Sequence, residues 1–460
     1  MKYAIGIDLG TSAVKLILTD ENGTILRTVS KEYPLYQPYS GWSEQAPEDW
    51  WTAVQEGIQN LLEGLDPAAV TGIGVGGQMH GLVMLDEQDR VLRPAILWND
   101  TRTGDETDYL NHEVGTEQLQ ALTGNIAFAG FTAPKLLWVR KNEPDVFHAC
   151  TKICLPKDYI NYKLTGVFAT DVSDASGTLY FDVEHRRWSE EMVSLLGISK
   201  EQLPTVYESG DVIGTTTVFG MHANVVAGAG DNAAAAIGTD TVKEGQCNIS
   251  LGTSGTVFLP TDAYVKTGNP ALHSFCHANG KWHLMGCILS AASCNKWLNE
   301  TVFQSDYDVD IGNPETELYF LPYLSGERCP HNDGDVRGAY VGLSHTTTRE
   351  DLQLALLEGV SFAIKDCVEL CPGNISRATV CGGGTKSRAW MQVLSNVLGM
   401  ELSIIANEGP AYGGALLALG ISHSPQVEYT VKPDLQTAAV YTRKYENYKE
   451  LYPRLKGFHN

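Results

Sequence analysis

Two stretches, Ile7-Asp8-Leu9-Gly10-Thr11-Ser12 and Ile249-Ser250-Leu251-Gly252-Thr253-Ser254, carry one pattern half a chain apart, and their last four residues are the same. Each follows a short apolar run, at 3–8 and 248–251, and each leads into another, at 13–18 and 256–259. The reading for both is a strand, a Gly-Thr-Ser turn and a returning strand. Repetition of a whole local context predicts an internal duplication. Two copies of one α/β domain then face each other across a cleft, the usual place for a ligand. The predicted boundaries are residues 1–243, 244–424 and a tail, 425–460, packing on the domains.

The flanking sequence extends this pattern. Residues 24–29 continue the first meander after the turn Glu21-Asn22-Gly23. Pro47 opens a helix with Glu48 and Asp49 in its first turn, where the helix dipole favours acids. Trp51, Val54, Ile58, Leu61, Leu62 and Leu65 then recur at helical spacing. Residues 70–75 read as a strand. In the second half, Thr348-Arg349-Glu350-Asp351 is close to a capping box and leads a helix over 352–370. A strand at 378–381 and a helix at 387–398, closed by Gly399, follow. Strands alternating with helices predict an α/β fold with a largely buried sheet in each half.

The two Gly-Thr-Ser turns suit phosphate. Gly10 and Gly252 let an anion approach backbone N–H groups, and Thr11, Ser12, Thr253 and Ser254 add hydroxyls. Lys15 stands close enough to reach a terminal phosphate. The copies differ at one informative place, Asp8 against Ser250. A carboxylate beside a phosphate cradle repels it unless a divalent cation lies between, so Asp8 is the expected magnesium residue. A third glycine loop, Gly382-Gly383-Gly384, follows the strand at 378–381 and offers bare backbone to a flat nucleoside. No P-loop signature and no dinucleotide fingerprint occurs.

Val225-Val226-Ala227-Gly228-Ala229-Gly230-Asp231-Asn232 runs from a strand through glycine into an acid and then a small-residue helix. Asp231 is thereby expected at the rim of the cleft, where a carboxylate accepts a proton during phosphoryl transfer. The competing reading is a helix N-cap. Gly76-Gly77-Gln78-Met79-His80-Gly81 also follows a strand and offers hydrogen-bonding groups to a polyol. Trp98 could stack on sugar C–H groups.

Bulk properties exclude some classes. The 460 residues imply two to four domains, at roughly 100–200 residues each. With 33 Lys and Arg against 55 Asp and Glu, the net charge is −22, and no basic run occurs. Nucleic acid and acidic membranes are therefore poor partners. The ten cysteines include no Cys-x-x-Cys pair and read as buried small hydrophobes in a reducing compartment. No signal peptide or apolar run of about 18 residues occurs, so the expected location is the cytoplasm.

Over nearly its whole length the chain resembles the FGGY carbohydrate kinases, and within them the xylulokinase group. The stretches that carry the resemblance are 6–15, 42–45, 77–81, 96–102, 131–138, 155–159, 173–178, 228–235, 251–256, 320–328 and 382–384. Gly77-Gln78-Met79-His80-Gly81 and Phe131-Thr132-Ala133-Pro134-Lys135-Leu136-Leu137-Trp138 are similar to xylulokinase rather than glycerol or gluconate kinase versions. The resemblance implies two actin/hexokinase-like (ribonuclease H-like) domains closing on a cleft. It implies ATP and Mg2+ as cofactors and transfer of phosphate to D-xylulose, with D-ribulose as the alternative acceptor. Asp231 is then the catalytic base and Asp8 the metal residue. Gln78, Met79, His80, Trp98, Asp231 and Asn232 lie on the sugar. Gly10, Thr11, Ser12, Lys15, Gly252, Thr253, Ser254 and Gly382, Gly383 and Gly384 lie on the nucleotide. Departures are shorter segments at 214–225 and 298–319, and Cys329 where the family more often has Thr. A homodimer stays open. A sugar-binding regulator without turnover and an actin-like filament former are rival classes, disfavoured by the intact Asp8 and Asp231 and by the sugar-side motifs.

Overall fold

The computed structural model describes residues 2–305, 315–406 and 409–458. In the first half, β1 (Tyr3–Leu9), β2 (Ala13–Asp20) and β3 (Ile25–Glu32) form a meander, followed by α1 (Pro47–Leu62) and β4 (Val70–Gly77). Next come α2 (Thr132–Asn142), α3 (Pro156–Thr165), β5 (Val212–Thr216), β6 (Ala223–Val226), β7 (Ala229–Gly230) and α4 (Asp231–Gly238). The second half holds β8 (Gln246–Leu251), β9 (Gly255–Thr261), β10 (His273–Cys276), β11 (Trp282–Ile288) and α5 (Arg349–Glu369). It continues with β12 (Arg377–Cys381), α6 (Arg388–Leu398), β13 (Leu402–Ile405), α7 (Pro410–Leu419), β14 (Val427–Val431) and α8 (Leu435–Lys449).

These strands build two 7-stranded sheets. The first has the order β5-β6-β4-β1-β2-β3, with β7 also paired to β4. The second runs β10-β11-β9-β8-β12-β13-β14. In both, an antiparallel meander (β1-β2-β3; β8-β9-β11) gives way, beyond its first strand, to a parallel run in which β4 pairs with β1 and β6 with β4, and β12 with β8 and β13 with β12. The duplicated sequence is thus a duplicated topology. The segment after residue 424 adds an edge strand, β14 on β13, and the helix α8 against α6.

Local signals explain the elements. Thr348 caps α5 in a full capping box with Asp351, and Ser387 caps α6, which ends at Gly399 in the left-handed region at φ 67°. Helix α1 covers β2 and β3 with Trp50, Val54, Ile58 and Leu61, all fully buried. The expected apolar stripe began at Trp51. Trp50 takes that place because its Nε1 also finds Gln45 Oε1 at 3.0 Å, while Trp51 stays half-buried. The stretch at 214–225 is a tight strand pair with a 3-10 turn at Val218–Gly220. Of the stretch at 298–319, residues 306–314 lie outside the described residues.

Helix α7 lies on the first sheet, not the second, in contact with β1, β4 and α4. Glycines make the approach possible. A Cβ on Gly6 would sit 1.7 Å from Ala411 O, one on Gly74 2.1 Å from Gly414 O, and one on Gly413 1.8 Å from Ala234 O. Gly413→Ala should therefore force α7 off α4, costing about 1–3 kcal/mol as overpacking does. A lowered denaturant midpoint together with lowered turnover is the expected result; an unchanged midpoint would show that the crossing is loose.

Candidate active site

Asp8, Gln78 and Asp231 stand at the C-terminal ends of three neighbouring parallel strands. In register, Asp8 faces Gly76 across β1 and β4, and Ala229 and Gly230 face Gly76 and Gly77 across β4 and β7. This is the end at which α/β sheets collect ligands. Gly230 is the cap of α4 and Asp231 its first residue, so Asp231 is not the N-cap. Its Oδ1 accepts from Asn232 N (2.7 Å) and Asn232 Nδ2 (3.0 Å), which leaves Oδ2 without a hydrogen bond among the described residues.

Burial pushes the Asp231 carboxyl up to about 6, against the Asn232 N–H. Asp8 rises to about 7, first from burial, then from the charge of Asp231, with Lys15 pulling it back. Lys15 faces Asp8 across β1 and β2. A carboxyl raised by burial and by a second acid nearby, beside a turn of glycine and hydroxyl residues, is a place that suits a cation. The Asp8 carboxylate accepts no hydrogen bond from the described residues, and its hard oxygens suit magnesium. Among the described residues no cluster of three or more His, Cys, Asp or Glu could hold a metal. Such an ion must take most of its ligands from water and phosphate, which is magnesium's habit. The residues present fit it.

The turn at 10–12 is braced from four sides. Tyr33 OH donates to Gly10 O, Gln45 Nε2 to Thr11 O (2.6 Å), Gln78 Nε2 to Gly10 O (3.3 Å) and Trp98 Nε1 to Thr11 Oγ1 (2.9 Å). Gln78 and Trp98, expected on the sugar, thus direct hydrogen bonds to the turn at 10–12. Ser12 is exposed and Gly10 half-buried. The second turn is held through its carbonyls. Gly252 O accepts from Ala292 N (2.9 Å), and Thr253 O from Ala291 N (2.9 Å) and Ser293 Oγ (2.8 Å). The side chains of Thr253 and Ser254 remain exposed. The Gly382–Gly384 loop rests on the end of β8: a Cβ on Gly382 would come 2.7 Å from Leu251 O, and Gly383 meets nothing within 4 Å. Asp231 also bears on the half-buried Cys287 thiol of β11, itself opposite Thr256 on β9, so its charge is felt at the second sheet.

Among the residues expected on the sugar, Met79 packs on Gly230, where a Cβ would meet its Cγ at 2.9 Å. His80 sits in the left-handed region at φ 68°, a strained place for a non-glycine residue. Lys135 Nζ (2.8 Å) and Thr132 Oγ1 (3.1 Å) both donate to His80 O and hold it there. The ring stacks on Phe131 at 4.5 Å, and Nδ1 donates to Gly177 O at 2.7 Å. Burial drives its pKa down to about 3, so the ring is neutral and Nε2 presents a lone pair. Sequence reasoning assigned no role to Thr132, Lys135 or Gly177. The available signal was a lysine inside the apolar run 133–139, a charge that must be buried and therefore tied to something.

The family model for the FGGY family of carbohydrate kinases, N-terminal domain, matches residues 3–238, and that for the C-terminal domain matches residues 247–420. The chain belongs to the FGGY family of carbohydrate kinases. Such an enzyme phosphorylates a sugar with ATP. The chain is 40% identical to the xylulose kinase of Escherichia coli K12 over 98% of its own length and 99% of that protein's. It superposes with a TM-score of 0.93 on a xyloylose kinase crystal structure from Brucella ovis, at 39% identity, covering 99% of this chain and 100% of that one. It also superposes, at 0.94, on the gluconate kinase from Lactobacillus acidophilus, at 27% identity, covering 100% of this chain and 99% of that one. Among the described residues no helix is long and apolar enough to cross a membrane. All ten cysteines are free, nine of them buried.

Behind His80 lies a buried histidine cluster on β10 and β11. His273 stacks on Phe275 at 5.3 Å and His283 on Phe258 at 4.1 Å. Both nitrogens of His283 lack a hydrogen-bond partner among the described residues. Burial lowers His277 to about 4 and His273 and His283 well below the usual histidine value. A folded-state pKa below the unfolded one gives stability that is complete above about 6.5 and drains as pH falls below it. His283→Phe removes one such group. Its stability relative to wild type should improve steadily from pH 7 to pH 5, measured by urea unfolding; a pH-independent difference would show that His283 is not held neutral by the fold.

Proposed function

We propose that the chain phosphorylates D-xylulose to D-xylulose 5-phosphate, with Asp231 as general base and Asp8 as the magnesium residue. The observation that carries the mechanism is the pair of strand-end carboxylates, Asp8 two residues before the turn at 10–12 and Asp231 next to Gly230, on which Met79 packs. Similarity to xylulose kinases supports the acceptor. Residues 1–243 carry the sugar and the base, 244–424 the nucleotide, and 425–460 pack on them.

In this reading ATP spans the turns at 10–12 and 252–254, its phosphates on backbone N–H groups, hydroxyls and Lys15. Its nucleoside lies against Gly382, Gly383 and Gly384. Asp8 would hold magnesium, which would supply neutralisation of charge on the transferred group. The acceptor lies on Met79 and His80, whose Nε2 takes a hydrogen bond from a sugar hydroxyl, with Asn232 at its side and the Trp98 face near its edge. The C5 hydroxyl faces Asp231 Oδ2, which accepts its proton as the bond to phosphorus forms. Positioning and exclusion of water supply most of the rate.

Asp231→Asn keeps the shape and removes the base. Turnover of D-xylulose should drop about 10²–10⁴-fold while ATP affinity holds. Because the base must be ionised, kcat/KM should fall tenfold per pH unit below about 6 in the wild type. A variant with most of its turnover intact removes Asp231 from this role. Chelation of divalent cations should stop turnover, and Asp8→Asn should raise the magnesium concentration needed to restore it; equal requirements in both proteins would count against Asp8. Comparison of kcat/KM across D-xylulose, D-ribulose and other polyols decides the acceptor.

A further inference from the structure

Arg328 has no place in the scheme above. It lies in the second half of the chain, on a loop whose backbone is fixed on both sides. Glu327 exchanges both backbone hydrogen bonds with Asp333 at 2.8 Å, and Cys329 N donates to Cys287 O of β11 at 3.0 Å. Glu327 Oε1 accepts from Arg328 N (2.8 Å) and Leu289 N (3.1 Å). The backbone is therefore rigid, yet the half-buried guanidinium makes no hydrogen bond or ion pair among the described residues. It lies over the ring of Phe128, 5.1 Å from the centroid, on the opposite half of the molecule. Phe128 packs on Phe131 at 5.3 Å and on His273 at 5.0 Å, and Phe131 stacks on His80. The charge of Arg328 is felt at both His80 and His273.

We propose that Arg328 is a specificity-determining residue, reaching from the second half across the cleft to donate hydrogen bonds to oxygen atoms of the acceptor sugar beside His80. A ring face attracts a guanidinium but leaves its five N–H donors unused. A half-buried donor fork on a stiff loop is the arrangement that reads hydroxyl and keto oxygens at low ordering cost. The phosphate end is the less suitable target, because the guanidinium packs in the aromatic group around His80. The turns at 10–12 and 252–254 are braced by other residues. His80 and Arg328 would then be complementary, one accepting from a hydroxyl and the other donating to sugar oxygens.

The proposal rests on the ketose-kinase reading, and the wild type tests that reading first: an enzyme that phosphorylates no ketose overturns it before any variant is made. In an active enzyme, Arg328→Met keeps the stem on Phe128 and removes the fork. KM for D-xylulose should rise about tenfold or more, the equivalent of one lost hydrogen bond, while KM for ATP stays within about twofold. Arg328→Lys should fall between, and it serves alone if the methionine variant does not fold. Ketoses lacking one hydroxyl each give the sharper readout. Against the analogue that lacks the contacted oxygen, wild type and variant should be alike. An unchanged KM for D-xylulose overturns the proposal. So does an equal loss with every analogue, which would mean that Arg328 only shapes the pocket, or a rise confined to KM for ATP.

Discussion

Helix α7 meets the first sheet with no room for a side chain, its carbonyls standing where the Cβ atoms of Gly6 and Gly74 would be. The same helix crosses α4 at Gly413 and Ala234, and α4 begins with the catalytic candidate Asp231. A helix from late in the chain is thereby locked to the central strands of the first sheet, and the relation of the two halves follows from that lock. Backbone-to-backbone packing of this kind is stiff along its length yet lets helices slide slightly across one another. Asp8 and Asp231 keep their spacing because α7 touches both β1, which carries Asp8, and α4, which Asp231 opens.

A protein with a net charge of −22 can still handle nucleotide phosphates because the attraction is local. In the proposed reading it comes from N–H groups at two glycine turns, from Lys15 and from an ion at Asp8, not from a basic surface. The same low-dielectric interior that raises Asp8 and Asp231 lowers His80, so the acids can accept protons near neutrality while the imidazole stays uncharged. Burial is the common cause, and its sign depends only on which form of the group carries the charge.

Much of this was legible in advance. The turn at 10–12, the turn at 252–254, the capping box at Thr348 and the stop at Gly399 are encoded within a few residues, and the structure has all four. The strand-end places of Asp8 and Asp231 were legible too. Less legible were roles set by partners far away in sequence. Gln78 and Trp98 look like sugar contacts until Gln45, Tyr33 and Thr11 are seen around them. Lys135 is invisible as a tether because its acceptors lie at His80 and Gly130.

The amino-acid sequence alone determined the alternation of strands and helices, the duplication, the turn chemistry and the family, since each is written in local spacing or in motifs read residue by residue. Tertiary structure decided the rest: the strained His80 backbone, the brace on the phosphate turn, α7 on the first sheet, and Arg328 over Phe128. Those depend on atoms brought together from positions 23 to 405 residues apart. Local propensity has no term for such neighbours; only the closed chain, with its excluded volume and low dielectric, assigns them.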